Sequence, residues 1–226
     1  MTLSAQALLH LLQLASPTLP IGSYSYSEGL EWLVESGQIR DPQDLQTWLT
    51  AELTTGSIRI EGAVMMRAYR GMQTQDRGSL RNWNHWFLAA RETAELRQQS
   101  CQMGQSLAQL LATLDPTCAE GLKEVGDPCA LPIAFGMGAM CWGIPEQEAL
   151  LGYFHSWANN LINAGIRLGL IGQTQAQQMV LGLQGVLVAA AQESVGLPDE
   201  DLSCFSLGLS LASMAHETQY SRLFRS

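Results

Sequence analysis

Apolar residues along the chain recur at three- and four-residue spacing, and alternation of the kind that marks strands is almost absent. Residues 4 to 15 read as an amphipathic helix stopped by Pro17. A second helix follows over Ser25 to Ser36, with Gly37 as its left-handed stop. Asp41-Pro42 starts a third, because aspartate accepts from free amides and proline fits the first helical position. Leu45, Trp48, Leu49 and Leu53 continue its apolar face, and after Gly56 the pattern resumes through Ile60, Val64 and Ala68. Residues 79 to 114 read as the longest helical region, with Arg91 and Glu95 at ion-pair spacing. Pro116, Pro128 and Pro132 punctuate a broken section. Pro145 opens a helix to about residue 170, and Thr174 opens another to about residue 195. Gly196-Leu197-Pro198 is a turn, after which Asp199 caps the last helix. No repeat or linker interrupts the pattern. The expected fold is all-α, one compact domain over residues 1–226 with roughly nine or ten helices.

Within that pattern Gly136, Gly138 and Gly143 stand among Ala134, Ala139 and Cys141, which suits close approach of helices. A second feature is polar. His155, Asn159, Asn163 and Arg167 recur every four residues on an otherwise apolar helix, with Ser156 and Asn160 beside them. The stripe reads as a solvated face, as the polar lining of a wet internal passage, or as a hydrogen-bonded interface.

The sequence closes on Ser213-Met214-Ala215-His216-Glu217-Thr218-Gln219-Tyr220-Ser221-Arg222-Leu223-Phe224-Arg225-Ser226. Terminal segments usually need only small polar residues. Here a helical turn would put Tyr220 and Phe224 on one face and Arg222 and Arg225 on another. Aromatic rings beside guanidinium groups compose a docking surface. The same residue types also suit a cap that folds back on the body, and both readings stand at this point. Near the other end, Gly22-Ser23-Tyr24-Ser25-Tyr26-Ser27-Glu28 sets two rings and three hydroxyls at a helix start.

Composition narrows the choice of partner. The 226 residues carry 12 basic and 21 acidic side chains, a net charge of −9, which disfavours nucleic-acid binding. Lys123 is the one lysine; the other eleven basic residues are arginines, the planar bidentate cation of protein interfaces. Seven of them fall between Arg59 and Arg97. The first residues lack a basic start and a small-residue cleavage site, and no apolar stretch approaches the roughly 20 residues of a membrane span. A cytoplasmic protein is expected. Cys101, Cys118, Cys129, Cys141 and Cys204 are odd in number and scattered, which argues against a disulfide framework.

The search for chemistry returns negatives. Lys123 follows Leu122 and precedes Glu124, so no phosphate-binding Gly-Lys-Ser/Thr loop exists. His216-Glu217 has Tyr220 where a zinc-protease helix needs a second histidine. No cysteine pair stands at zinc spacing, and His10, His85, His155 and His216 lie far apart. No Gly-x-Ser-x-Gly elbow occurs. No catalytic residue and no metal ligand set is assigned. The competing enzyme reading is a hydrolase using His216 or His155 with a nearby carboxylate.

Leu11-Leu12-Gln13-Leu14-Ala15-Ser16, then Leu19-Pro20, the Ser-Tyr-Ser-Tyr segment and Gly29-Leu30-Glu31 resemble the start of the UreF family of urease accessory proteins. His216-Glu217-Thr218-Gln219-Tyr220-Ser221-Arg222-Leu223-Phe224-Arg225-Ser226 resembles that family's ending. The likeness recurs over residues 90–100, 132–143 and 152–175. Two positions depart from it: Glu28 stands where glutamine is common, and Ala215 where a basic residue is common. The resemblance implies an all-helical homodimer with no enzymatic activity of its own. It implies a role in urease maturation, joining UreD (also called UreH) and the GTPase UreG on the urease apoprotein and assisting GTP-dependent nickel insertion. GTP would be bound by UreG, and nickel would be in transit only. The expected partner-binding residues are Tyr24, Tyr26, Glu28, His216, Glu217, Gln219, Tyr220, Arg222, Phe224 and Arg225, with 213–226 as the docking segment. The expected passage is His155, Asn159, Asn163 and Arg167. An arginine such as Arg222 would serve as a GTPase finger only if it reached the partner's phosphate.

Overall fold

A computed structural model describes residues 3–203 and 206–226. Its helices are α1 (Ala5–Leu14), α2 (Leu30–Glu35), α3 (Pro42–Thr55), α4 (Ser57–Gln73), α5 (Arg77–Ala90), α6 (Ala94–Leu114), α7 (Pro116–Val125), α8 (Leu131–Cys141), α9 (Glu146–Arg167), α10 (Gln173–Gly182), α11 (Gln184–Val195) and α12 (Leu207–Glu217). Short 3-10 turns cover Ser23–Ser25 and Asp199–Asp201, and no strand occurs among the described residues. The fold is all-α, as the periodicity predicts.

Capping chemistry sets most boundaries. The side chains of Ser4, Asp41, Asp76, Thr93 and Asp115 each accept from a free amide in the first turn that follows. Gly37 and Gly169 stop the helices before them at φ 72° and 73°. The count exceeds the expected nine or ten because two long regions are each broken. The region 79–114 divides at Arg91-Glu92-Thr93: Arg91 is extended, and Thr93 Oγ1 accepts from Leu96 N at 3.2 Å to start α6. Arg91 and Glu95 therefore do not share a helix, and the expected pair does not form. The region 174–195 divides at Leu183, with Gly182 and Gly185 beside the break.

Two further boundaries differ. The helix expected over 25–36 begins only at Leu30, because Glu28 (φ 53°) and Gly29 (φ 76°) reverse the backbone first. Asp199 does not cap α12. Its carboxylate accepts from Arg67 Nε at 2.8 Å, and the last helix starts at Leu207.

Most of the buried apolar side chains among the described residues form one cluster. At its centre α4 packs against α3, α5, α8, α9 and α11. Its closest partner, α8, is buried from Pro132 through Ala139. That approach needs glycine: a Cβ on Gly136 would collide with the carbonyl oxygen of Met65 in α4. The bridge between Cys118 in α7 and Cys141 at the end of α8 corrects the expectation of no disulfide. The two are 23 residues apart in sequence, and only the side-by-side packing of α7 and α8 brings their Cα atoms to 6.0 Å. Cys101 and Cys129 are free, and burial pushes the Cys129 thiol up to about 12. Cys204 lies outside the described residues. No described helix is long and apolar enough to cross a membrane.

Gly136→Ala should cost about 1–3 kcal/mol, since backbone meets backbone and no side chain can swing aside. Gly185→Ala, where an added methyl meets nothing, should leave the calorimetric melting temperature unchanged or raised.

Candidate functional site

The segment after α12 is not helical, so Tyr220 and Phe224 do not share a helical face. It crosses α2 and α6 as bends and irregular chain and is held by backbone and carboxylate contacts. Leu223 N and Phe224 N donate to the two oxygens of Glu31 at 2.6 and 2.9 Å. His216 is fully buried, with Nε2 3.3 Å from Glu31 Oε2 and Nδ1 2.8 Å from Glu95 Oε2. Arg222 donates to the other oxygen of Glu95 at 3.0 Å. Two acidic residues, one from α2 and one from α6, thus fix the end of α12 and the tail together.

The tail also pairs with the loop before α2. Arg225 N donates to Ser25 O at 2.8 Å, and Ser27 N donates to Ser226 O at 2.9 Å. Ser27 Oγ donates to the same Ser226 oxygen at 2.6 Å. Phe224 is 4% exposed and lies with its ring 4.3 Å from the guanidinium of Arg167. Arg167 in turn donates to the carbonyl of Tyr24.

The expected partner residues divide sharply. Tyr26, Glu28, His216 and Phe224 point inward, and Ser226 is 1% exposed. Tyr24 is 69% exposed, and Tyr220 is fully exposed. Glu217, Arg222 and Arg225 are exposed, while Gln219 is half-buried against Glu35. The capping reading therefore describes one set of tail side chains, which closes the body, while another set is exposed.

Behind the loop lies a buried polar network that the sequence reading did not foresee. Glu28 accepts from Gln99 Nε2 on one oxygen and Trp157 Nε1 on the other, both at 2.9 Å. Glu61 accepts from Arg91 Nη1 at 2.7 Å and from the Tyr153 hydroxyl at 2.6 Å. Arg91 is the cation of this cluster. Burial opposes its charge, but Glu61, Glu92 and Glu28 more than offset that and hold it above its ordinary range. Glu28 is pushed up to about 6, first by burial and then by the charge of Glu61. Glu52 in α3 is pushed up to about 7 by burial, with Glu28 adding to the effect. Tyr153 is raised well above its ordinary range, again chiefly by burial. The signal in the sequence was Arg91-Glu92-Thr93, a charged run beside a capping threonine; it was read as mid-helix.

His155, Asn159, Asn163 and Arg167 do share one wall. Together with Ser23, Tyr24 and Gln177 they line a cavity of about 320 Å³ between α9, α10 and the loop before α2. Asn159 Nδ2 lies 2.8 Å from His155 Nε2, and partial burial lowers the His155 pKa. A smaller cavity of about 40 Å³ lies deeper, against Glu28, Glu61 and Arg91. Ser23, Ser156 and Asn160 border both. Among the described residues, no three His, Cys, Asp or Glu side chains gather as a metal site.

The UreF family model matches residues 39–184. A Nostoc protein named urease accessory protein UreF is 54% identical over 225 residues, covering 100% of this chain and 98% of the relative. A UreF of Microcystis aeruginosa is 54% identical over 224 residues, 99% of this chain and 100% of the relative. The chain belongs to the UreF family. A Synechocystis UreF is 48% identical over 235 residues and again spans both proteins, 99% of this chain and 100% of the relative. Membership thus extends to the tail and the loop before α2, which lie beyond the stretch matched by the UreF model.

A carboxyl held at about 7 when folded and at 4.5 when exposed favours the folded state below pH 4.5 and loses that contribution as pH rises through 7. Glu52→Gln should therefore be more stable than wild type at pH 8, by about 3 kcal/mol. Urea titrations at descending pH should show the difference shrinking toward pH 5.5.

Proposed function

We propose that this chain serves urease maturation as a non-catalytic connecting protein. In this reading it joins UreD (UreH) and the GTPase UreG on the urease apoprotein, modulates GTP hydrolysis by UreG, and works as a homodimer in the cytoplasm. The observation that carries the proposal is full-length similarity, including the tail, to proteins named urease accessory protein UreF. The geometry supports it in two ways. The segment 213–226 is rigidly seated yet displays Tyr220 and Arg225, and Tyr24 stands exposed on the adjoining loop. An aromatic ring held on a fixed backbone loses little freedom when a partner covers it.

The hydrolase alternative gains nothing from the arrangement. His216 is fully buried between two carboxylates and offers a substrate no access. His155 meets the amide of Asn159. For nickel, we take the two adjoining cavities beside α9 as the passage, with His155, Asn159, Asn163 and Arg167 at its wide end. The chain holds no nickel or GTP of its own in this reading.

Tyr220→Ala and Tyr24→Ala should each weaken capture of purified UreD or UreG by about tenfold or more, with melting temperature unchanged. Urease activation by nickel, GTP and the reconstituted accessory proteins should fall in parallel. Normal capture and activation with both rings removed would contradict the docking role. Activation without this chain would contradict the connecting role altogether.

A further inference from the structure

Arg167, in the last turn of α9, is held on two sides. Its Nη1 donates to the carbonyl of Tyr24 in the loop before α2. Its guanidinium lies over the Phe224 ring, 4.3 Å from the centroid. A planar cation fixed on one edge and one face has little freedom left. Its other edge, made by Nε and Nη2, donates to nothing among the described residues. That edge carries two parallel N–H bonds, which match the two oxygens of a carboxylate. Two other arginines of this chain use the same edge in that way. Arg70 donates through Nε at 3.1 Å and Nη2 at 2.9 Å to the two oxygens of Glu146. Arg67 turns the same two nitrogens on Asp199. Arg167 has no such acid beside it.

The surroundings of that edge favour an anion. Arg167 lines the cavity of about 320 Å³ between α9, α10 and the loop before α2. No aspartate or glutamate lines it, so the guanidinium is the one full charge of its wall. His155 stays neutral near pH 7, because burial lowers its pKa. Asn163 on α9 and Gln177 on α10 face the same space, and neither side chain makes a hydrogen bond within the described residues. Both amides are therefore available as donors. Glu28 lies in the smaller cavity behind, where both its oxygens already accept, from Gln99 and Trp157. One guanidinium balances one negative charge, which suits a carboxylate better than a phosphate carrying nearly two.

We infer that the outer cavity is a carboxylate-binding site, in which the Nε and Nη2 edge of Arg167 grips the anion while Asn163 and Gln177 donate around it. The ligand is a single planar carboxylate, either a free small anion or the end of an acidic side chain from a protein partner. Tyr24 and Phe224 hold the fork in place before the anion arrives, so binding costs little reorganisation. The inference does not rest on the nickel passage, since the fork takes a carboxylate whether or not a cation passes behind it.

The test is NMR on the isotope-labelled full chain, following the Arg167 Nε–H through parallel titrations with sodium acetate and sodium chloride. With acetate the signal should shift and saturate, with a dissociation constant on the order of 1 mM. The side-chain amides of Asn163 and Gln177 should move with it. The Nε–H signals of Arg67 and Arg70, whose edges are occupied, should stay in place. A third titration uses the α-amide of N-acetylglutamic acid. Affinity equal to that of acetate supports a free small anion, and affinity about fivefold tighter or more supports an acidic side chain. Arg167→Lys keeps the charge and loses the fork, so it should bind acetate about tenfold more weakly. No saturable shift at Arg167, the same shift with chloride, or undiminished affinity in Arg167→Lys would overturn the site. Should that variant unseat the tail, the wild-type titration decides: saturation at Arg167 with Arg67 and Arg70 unmoved supports the site, and equal movement of all three overturns it.

Discussion

The carboxylate of Glu31 organises this molecule's functional face. One side chain from the first turn of α2 accepts from Leu223 N and Phe224 N and stands against His216. Without it, the Phe224 amide would be buried with no partner, at about 1–3 kcal/mol, and the half-buried Leu223 amide would lose its acceptor. Everything in front of it follows. Phe224 is placed against Arg167, Arg225 against Ser25, and Ser226 against Ser27. Glu95 repeats the arrangement from α6 and takes the other nitrogen of His216 together with Arg222. A short segment with no helical hydrogen bonds of its own is thereby joined to α2, α6 and the loop before α2. Its remaining side chains are left free to face outward.

Buried ion pairs of this kind are weak contributors to stability and strong contributors to geometry. Arg91 and Glu61 would be replaceable by apolar residues of similar volume if stability were the only requirement. What their pairing fixes is where the chain leaves α5 and enters α6. That in turn sets Gln99 beneath Glu28 and Glu95 beneath His216. Burial, and after it the negative charge of neighbouring carboxylates, keeps Glu28 and Glu52 protonated nearer neutrality than usual.

The helical architecture was legible wherever a local rule decided it. Asp41-Pro42 started α3, Gly37 stopped α2, and Gly136 and Gly138 marked the close approach of α8 to α4 and α6, each for a reason contained in a few neighbouring residues. The polar stripe from His155 to Arg167 was legible as one wall because spacing of four on a helix guarantees it. What was not legible depended on residues far apart in the chain. Arg91 leaves its helix for Glu61, 30 residues earlier, and His216 meets Glu31, 185 residues earlier. The Cys118–Cys141 pair needs the packing of two helices. The spacing of the tail residues allows a helical turn, but the Glu31 carboxylate on α2 gives two of their backbone amides a different acceptor, and Glu95 on α6 takes the side chain of Arg222. The likeness to UreF sequences named the family correctly but was silent on which of its terminal residues face inward.

The central claim is that Glu31 builds the tail into the body and thereby presents the outward residues. Amide exchange in Glu31→Ala, compared with wild type at one pH, measures it directly. The account predicts that Leu223, Phe224, Arg225 and Ser27 lose protection together while the amides of α4 and α8 keep theirs. Unchanged protection at Leu223 and Phe224, or a uniform loss that includes α4 and α8, would contradict it.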